Sequence, residues 1–141
     1  MDGFRHVWPM AVRFRDVDAM GHVNNAVYFT YLETARVEYM RRVAFESPFR
    51  QLSEAPLILA RISCEFKQPI TYGQSVEVGT RVREMRTSSF LIEQHIYADG
   101  QLAAVSEGVV VHYDYRAGSS TPIPDQVRAR VQAFEGQSDP A

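Results

Sequence analysis

The stretch NNAVYFTYLETARVEYMRRV, running from Asn24 to Val43, decides how the rest of the chain must be arranged. Tyr28, Tyr31, Leu32, Ala35, Tyr39 and Val43 recur at helical spacing, which predicts a helix over Ala26–Val43. Asn24 or Asn25 supplies the N-cap. Val27, Phe29 and Val37 lie off that stripe, so the helix is apolar around much of its girth. A helix of this kind is buried on more than one side. Glu38 and Arg42 form an i,i+4 pair on its exposed strip.

What surrounds the helix is strand. Upstream, Val12 and Phe14 alternate with Arg13 and Arg15, predicting a half-buried strand over Met10–Asp16. Asp16–Asn25 reads as an irregular loop. Downstream of Pro48 and Pro56, strands are expected at Leu57–Lys67, Ser75–Arg83, Phe90–Ala98 and Gln101–Tyr115. In the first of these, Ile58, Ala60, Ile62, Cys64 and Phe66 alternate; in the second, Val76, Val78 and Val82 share a face. Pro69 and Gly73 mark a turn over Gln68–Gly73, and Asp99-Gly100 is a favoured two-residue hairpin turn. In the last strand Val105, Val109, Val111 and Tyr113 share one face with Glu107, which breaks the apolar pattern without an evident reason and is a candidate for a subunit interface. Val127, Val131 and Phe134 predict a short C-terminal helix within 122–141, and Gly136–Ala141 a frayed tail. One long helix followed by strands in series gives an α+β domain with an antiparallel sheet.

Composition bounds the functions available. A chain of 141 residues fits one domain, here 1–141 with a core over about 10–115. An apolar fraction of 45%, a charged fraction of 23% and a net charge of −2 are ordinary for a globular domain and give no general nucleic-acid binder. Cys64 is the only cysteine, so no disulfide forms within the chain and a reducing cytoplasm is expected. No apolar run reaches the roughly 20 residues that span a bilayer, so no membrane partner is expected. His6, His22, His95 and His112 show none of the spacings that hold a metal, and no cofactor is expected.

The segment Arg13-Phe14-Arg15-Asp16-Val17-Asp18-Ala19-Met20-Gly21-His22-Val23-Asn24-Asn25, continued by Tyr28, Tyr31, Glu33 and Arg36, resembles the acyl-CoA thioesterases grouped with 4-hydroxybenzoyl-CoA thioesterase. Pro69-Ile70-Thr71-Tyr72-Gly73-Gln74 is a second, weaker match, where that family turns between two strands. The resemblance covers about Ala11–Tyr115. It implies a hotdog fold, a curved antiparallel sheet wrapped around a long central helix. It also implies homodimers, often paired into homotetramers, with active sites at the subunit interface, and an acyl-CoA thioester as substrate.

Thioester hydrolysis needs a carboxylate that attacks the carbonyl or activates a water. It also needs donors for the oxygen that gains charge. By match to the family, Asp18 is the carboxylate and the backbone N–H of Asn25 the donor, at the helix mouth where unpaired amides and the dipole favour negative charge. Nucleophile and general base both remain open for Asp18. Gly21 lets the backbone turn tightly. His22 has three readings: a bond to the thioester oxygen, orientation of a water, or support of the loop. Asn24 either orients water or caps the helix. Asp16 is assigned a structural role, binding loop N–H groups or Arg15. Tyr28 and Tyr31 are candidates for the pocket wall, and Glu33 with Arg36 for an ion pair.

For the CoA phosphates the candidates are Arg83, Arg86, Thr87, Ser88 and Ser89, with Lys67 and Arg61 as contributors from the neighbouring strand. Tyr31, Leu32, Phe45, Phe49, Leu57 and Leu59 are candidates for the acyl pocket, although each also reads as ordinary core. The competing functions are a hotdog protein that binds an acyl thioester without hydrolysing it, an acyl-carrier-protein thioesterase, and an enoyl-thioester hydratase, against which the Asp18–Asn25 wording argues.

Overall fold

The computed structural model describes residues 3–46 and 56–137. Six strands and two principal helices follow the order β1 (His6–Ala11), α1 (Asn25–Tyr39), β2 (Leu57–Phe66), β3 (Ser75–Met85), β4 (Ser89–Ala98), β5 (Gln101–Asp114), β6 (Ser119–Ser120) and α2 (Asp125–Glu135). The strands pair antiparallel in the order β1-β3-β4-β5-β2, and the short β6 adds to the end of β5. β1 and β2 are therefore the two edges.

The helix begins where the sequence places it. Asn24 is the N-cap, its side-chain oxygen accepting from the Ala26 N–H at 2.9 Å. The helix continues past Tyr39 through one wide π-helical turn, Met40–Ala44. Tyr28, Tyr31, Leu32, Ala35, Tyr39, Met40, Val43 and Ala44 are buried against the sheet. The predicted stripe is thus the packing face, and each fully buried large side chain on it contributes roughly 1.5–3 kcal/mol. Val27, Phe29 and Val37 are only partly buried, so a single protomer covers the helix mainly from one side.

The interior divides into two apolar clusters. One holds Tyr39, Met40, Val43, Phe90, Ile92, Val110 and the α2 residues Val127 and Val131. The other holds Tyr28, Tyr31, Leu32, Ile70, Val76, Val78 and Ile96. Between them a polar row crosses the whole sheet in register: His6 beside Thr80, Thr80 beside Gln94, Gln94 beside Ser106, and Ser106 beside Cys64. Gln94 donates to the Leu32 carbonyl at 2.9 Å and to the Thr80 hydroxyl at 3.0 Å, joining helix to sheet.

Four expectations are corrected. The first strand is His6–Ala11, not Met10–Asp16, because Phe14–Asp16 closes a 3-10 turn in which the Asp16 carboxylate accepts the Arg13 N–H at 2.8 Å. Phe14 is left 80% exposed. In β2, the register slips between Leu59 and Arg61, a bulge that reverses the alternation. Ile58 therefore faces outward at 39% exposure, while Ile62 and Cys64 pack against the core. In β5 the valine-rich face is the outer one: Ala104, Ser106, Val110 and His112 are buried instead. Glu107 on that outer face pairs with Arg83 at 3.1 Å. Finally, Gln137 is not frayed, since its side-chain amide donates to the Val82 carbonyl at 2.8 Å.

Candidate active site

The loop between β1 and α1 is held from three directions. Asp16 is 1% exposed. Its carboxylate accepts from the Arg13 N–H, from the Arg13 guanidinium at 3.2 Å and from the Tyr31 hydroxyl at 2.9 Å. Its own carbonyl accepts the Asn24 N–H at 2.9 Å, so one residue fastens both the loop entrance and the helix cap. Burial pushes the Asp16 carboxyl upward, but the bonds from Arg13 and Tyr31 outweigh it and hold the group below its ordinary range. The partner is Arg13 rather than Arg15. The same contacts, with burial as the larger cause, raise the Tyr31 phenol well above its ordinary value, so it stays a donor.

From the third direction comes the turn after β2. The Val23 N–H donates to the Ile70 carbonyl at 2.7 Å, and His22 bridges Thr71. The two sequence segments singled out separately, Arg13–Asn25 and Pro69–Gln74, are therefore neighbours in space. This contact was missed from the sequence; the Pro69-Ile70-Thr71-Tyr72-Gly73-Gln74 wording was its only signal. The Tyr28 hydroxyl adds a bond to the Gln68 carbonyl at 3.1 Å.

Within this frame the loop folds tightly around Asp18. Its backbone N–H donates to the His22 carbonyl at 2.7 Å, and its carbonyl accepts the Gly21 N–H at 3.0 Å. Its Oδ1 accepts the Met20 N–H at 2.9 Å and the His22 N–H at 3.2 Å. Oδ2 has no partner among the described residues. Gly21 has φ of +83°, the left-handed region that glycine adopts freely. The Asn25 N–H opens the helix and meets no acceptor among the described residues, while Asn24 is occupied as the cap. The His22 imidazole is exposed and makes no hydrogen bond to the described residues; its backbone does the holding. Asp18, Gly21, His22, Asn24 and Asn25 thus form one exposed rim at the mouth of α1.

Around that rim lie large exposed apolar groups. Phe14 and Tyr72 touch edge to face at 6.1 Å, and Met20 is exposed beside Asp18. Phe66, at the end of β2, packs its ring on Tyr28 at 4.9 Å. Lys67 follows it in sequence and is exposed, with its ammonium 3.3 Å from Glu65. Tyr28 and Tyr31 are buried struts beneath the rim rather than open walls.

The remaining candidates are not brought here by this chain. Ser75, at the start of β3, pairs with Ala11 just before the loop, whereas Arg83, Arg86, Ser88 and Ser89 lie at the other end of β3. Ten strand steps place the two ends roughly 33 Å apart. Arg83 is paired with Glu107, and Arg86 lies 3.8 Å from Glu84. Arg61 stands midway along β2. The acyl-pocket candidates also divide: Tyr31 and Leu32 belong to one core cluster, Leu57, Leu59 and Phe45 to the other. Phe49 lies outside the described residues. Glu33 and Arg36 form no ion pair. Arg36 turns inward, 2% exposed, and its guanidinium reaches Gln94 Oε1 at 3.5 Å, because it sits four residues after Leu32 on the buried stripe while Glu33 faces solvent. Among the described residues, no group of three or more His, Cys, Asp or Glu is placed to hold a metal ion.

Comparison with known proteins bears on the fold and the family. A thioesterase from Thermus thermophilus, solved with coenzyme A and Zn, superposes with a TM-score of 0.88 and 38% identity over 99% of this chain and 100% of that one. The acyl-CoA thioester hydrolase YbgC of Escherichia coli O6:H1 is 29% identical over 126 residues, 89% of this chain and 94% of its own length. The betainyl-CoA thioesterase of Pseudomonas aeruginosa is 28% identical over 120 residues, 84% of this chain and 76% of its own. The sheet curled around a long helix is the hotdog architecture, and the model of the thioesterase-like superfamily matches residues 12–131, so the chain belongs to that superfamily.

Proposed function

We propose that this protein hydrolyses acyl-CoA thioesters, with Asp18 as the carboxylate and the Asn25 N–H as the donor to the carbonyl oxygen. The observation that carries the reading is the pairing, on one short loop, of a carboxylate oxygen and a helix-opening amide that have no partner among the described residues. The two loop amides on Asp18 Oδ1 hold the side chain in place and leave Oδ2 for the reaction. Asp18 then takes a proton from water as the water attacks and returns it to the departing sulfur, or attacks the carbonyl itself to form a mixed anhydride that water then hydrolyses, the water's proton going to the thiolate. In either route the carbonyl oxygen gains negative charge beside the Asn25 N–H and the positive end of α1. The carbon–sulfur bond breaks, and coenzyme A leaves as the thiol once protonated. The chain's own groups suffice for this route, so we propose that it needs no metal.

The substrate's two ends are assigned by position. Lys67, exposed just after Phe66, is the cation from this subunit that we assign to a phosphate. Arg83, Arg86, Ser88 and Ser89 reach the same substrate only if another subunit supplies them. The open edge of β2 offers a way to pair subunits. We therefore place the working site between subunits of a homo-oligomer, with the apolar groups Phe14, Met20, Phe66 and Tyr72 partly covered there. A cytoplasmic setting suits a CoA-linked substrate.

Asp18→Asn tests the reading. It should fold with an unchanged melting temperature and lose about 10²–10⁴-fold in kcat on acyl-CoA substrates followed by thiol release. A folded Asp18→Asn protein with unchanged turnover removes the mechanism.

A further inference from the structure

A cavity of about 450 Å³ lies at the far end of α1, between β1, the π-helical turn and α2, lined by Arg5, His6, Arg42, Val43, Glu46, Arg130, Ala133 and Phe134. Seventeen helical steps separate Arg42 from Asn25, roughly 25 Å along the helix, so this is not the Asp18 rim. Its volume falls in the range of small-molecule sites.

The lining is of two kinds. Val43, Ala133, Phe134 and the ring of His6 make an apolar wall. Three guanidinium groups stand around it, and the described residues fully use none of them. Arg5 donates to the Phe134 carbonyl at 2.8 Å. Arg130 donates to the Phe45 carbonyl at 3.2 Å and lies 3.6 Å from the Glu46 carboxylate. Arg42 donates to Glu38 at 3.0 Å and lies over the Trp8 ring at 4.8 Å. Each guanidinium carries five N–H donors, so donors remain on all three. Glu46 is the carboxylate on the lining itself, and its side chain is 65% exposed, free to swing away. His6 is nine-tenths buried, and its Nδ1 has no hydrogen-bond partner among the described residues.

We propose that this cavity binds a carboxylate carried on an apolar chain, the acid seated between Arg5 and Arg130 in the place Glu46 now approaches, and the chain against Val43, Ala133 and Phe134. Planar guanidinium forks match a carboxylate, and the apolar wall has no use for a bare anion. The acid released by thioester hydrolysis has this chemistry, whereas an uncharged acyl group still in thioester linkage presents no carboxylate at its carbonyl end. The cavity is therefore a site at which the product acid registers on the protein away from the reacting centre. The identity of the acid rests on the thioesterase reading; the binding itself does not.

Trp8 is the only tryptophan of the chain and touches both His6 and Arg42, so its fluorescence reports on the cavity without any turnover. Octanoate should change that signal saturably. 1-Octanol and inorganic phosphate, each with half of the required chemistry, should bind at least about tenfold more weakly. Arg5→Gln/Arg130→Gln should lose about tenfold in octanoate affinity, whereas Asp18→Asn, tested in parallel, should bind as the parent does. If the double variant does not fold, each single variant should lose about threefold or more. No saturable response to octanoate, equal affinity for octanol or phosphate, or affinity unchanged in the folded arginine variants overturns the proposal. Loss of turnover in Asp18→Asn bears only on the catalytic reading.

Discussion

The hydroxyl of Tyr31, on the second turn of α1, donates to Oδ2 of Asp16 at 2.9 Å. Since the Asp16 carbonyl also accepts the Asn24 N–H, this one contact sets the position of the Asp18 loop against the helix mouth. Tyr31→Phe removes the donor and leaves a buried carboxylate oxygen short of a bond. The expected cost is about 1–3 kcal/mol, read as a lower urea midpoint at unchanged slope. Turnover should fall with it while the substrate's KM moves little, because the loop holds the reacting groups rather than the carrier.

Asn25→Pro, set against Asn25→Ala, separates the helix-opening amide from the side chain. Asn25 is the first helical residue, a position where proline is well accepted, and Asn24 before it already has the extended backbone (φ −60°, ψ 138°) that proline requires. Both variants should therefore keep their stability, the alanine losing only the side-chain amide and the proline losing the N–H as well. A fall of about 10²–10³-fold in kcat is expected for the proline variant from single-turnover thiol release, and a proline variant as fast as the parent would take the oxyanion role away from this amide.

Gly21→Ala isolates backbone conformation from packing. A methyl group built at this position meets nothing within 4 Å, but φ is +83°. The cost is therefore conformational, about 1–2 kcal/mol. The melting temperature should drop by several degrees, and activity should drop further than stability because the Asp18 turn closes through the Gly21 N–H.

Stability should weaken with mild acidification, and His6 is one source. Burial first, then the charge of Arg42, lowers its basicity from the ordinary 6.5, with Glu38 opposing. The unfolded chain thus binds the proton more readily than the fold does. The contribution is whole above about pH 6.5 and is lost as pH falls toward the lowered folded value. His95, desolvated and set between Glu93 and Arg81, acts with the same sign. Denaturation midpoints measured from pH 7.5 to 5 should fall less steeply in His6→Phe than in the parent.

Some of this architecture was legible because short-range pattern and physical cause coincide. The stripe from Tyr28 to Val43 can be buried only by one helix face, and Asp99-Gly100, with φ of +49° and +79°, can close only a tight hairpin. Other features escaped for definite reasons. A bulge between Leu59 and Arg61 switches faces within β2 with no mark in the residue types. The valines of β5 are β-branched residues on an outer face, where strand propensity and burial part company. Phe14 alternates like a strand residue, yet Asp16 bends that segment into a turn through the Arg13 N–H.

By itself, the sequence determined the helix, a cap at Asn24 or Asn25, the succession of the four strands after the helix and the residues of the Asp18 loop, since each depends on neighbours a few positions away. Only the tertiary structure decided that Tyr31 and Ile70 clamp that loop, that Arg36 points into the core, and that Arg83 to Ser89 stand at the opposite end of the sheet. Those outcomes depend on pairing register and on contacts between distant segments, which are settled by how strands align and not by the local composition of any of them.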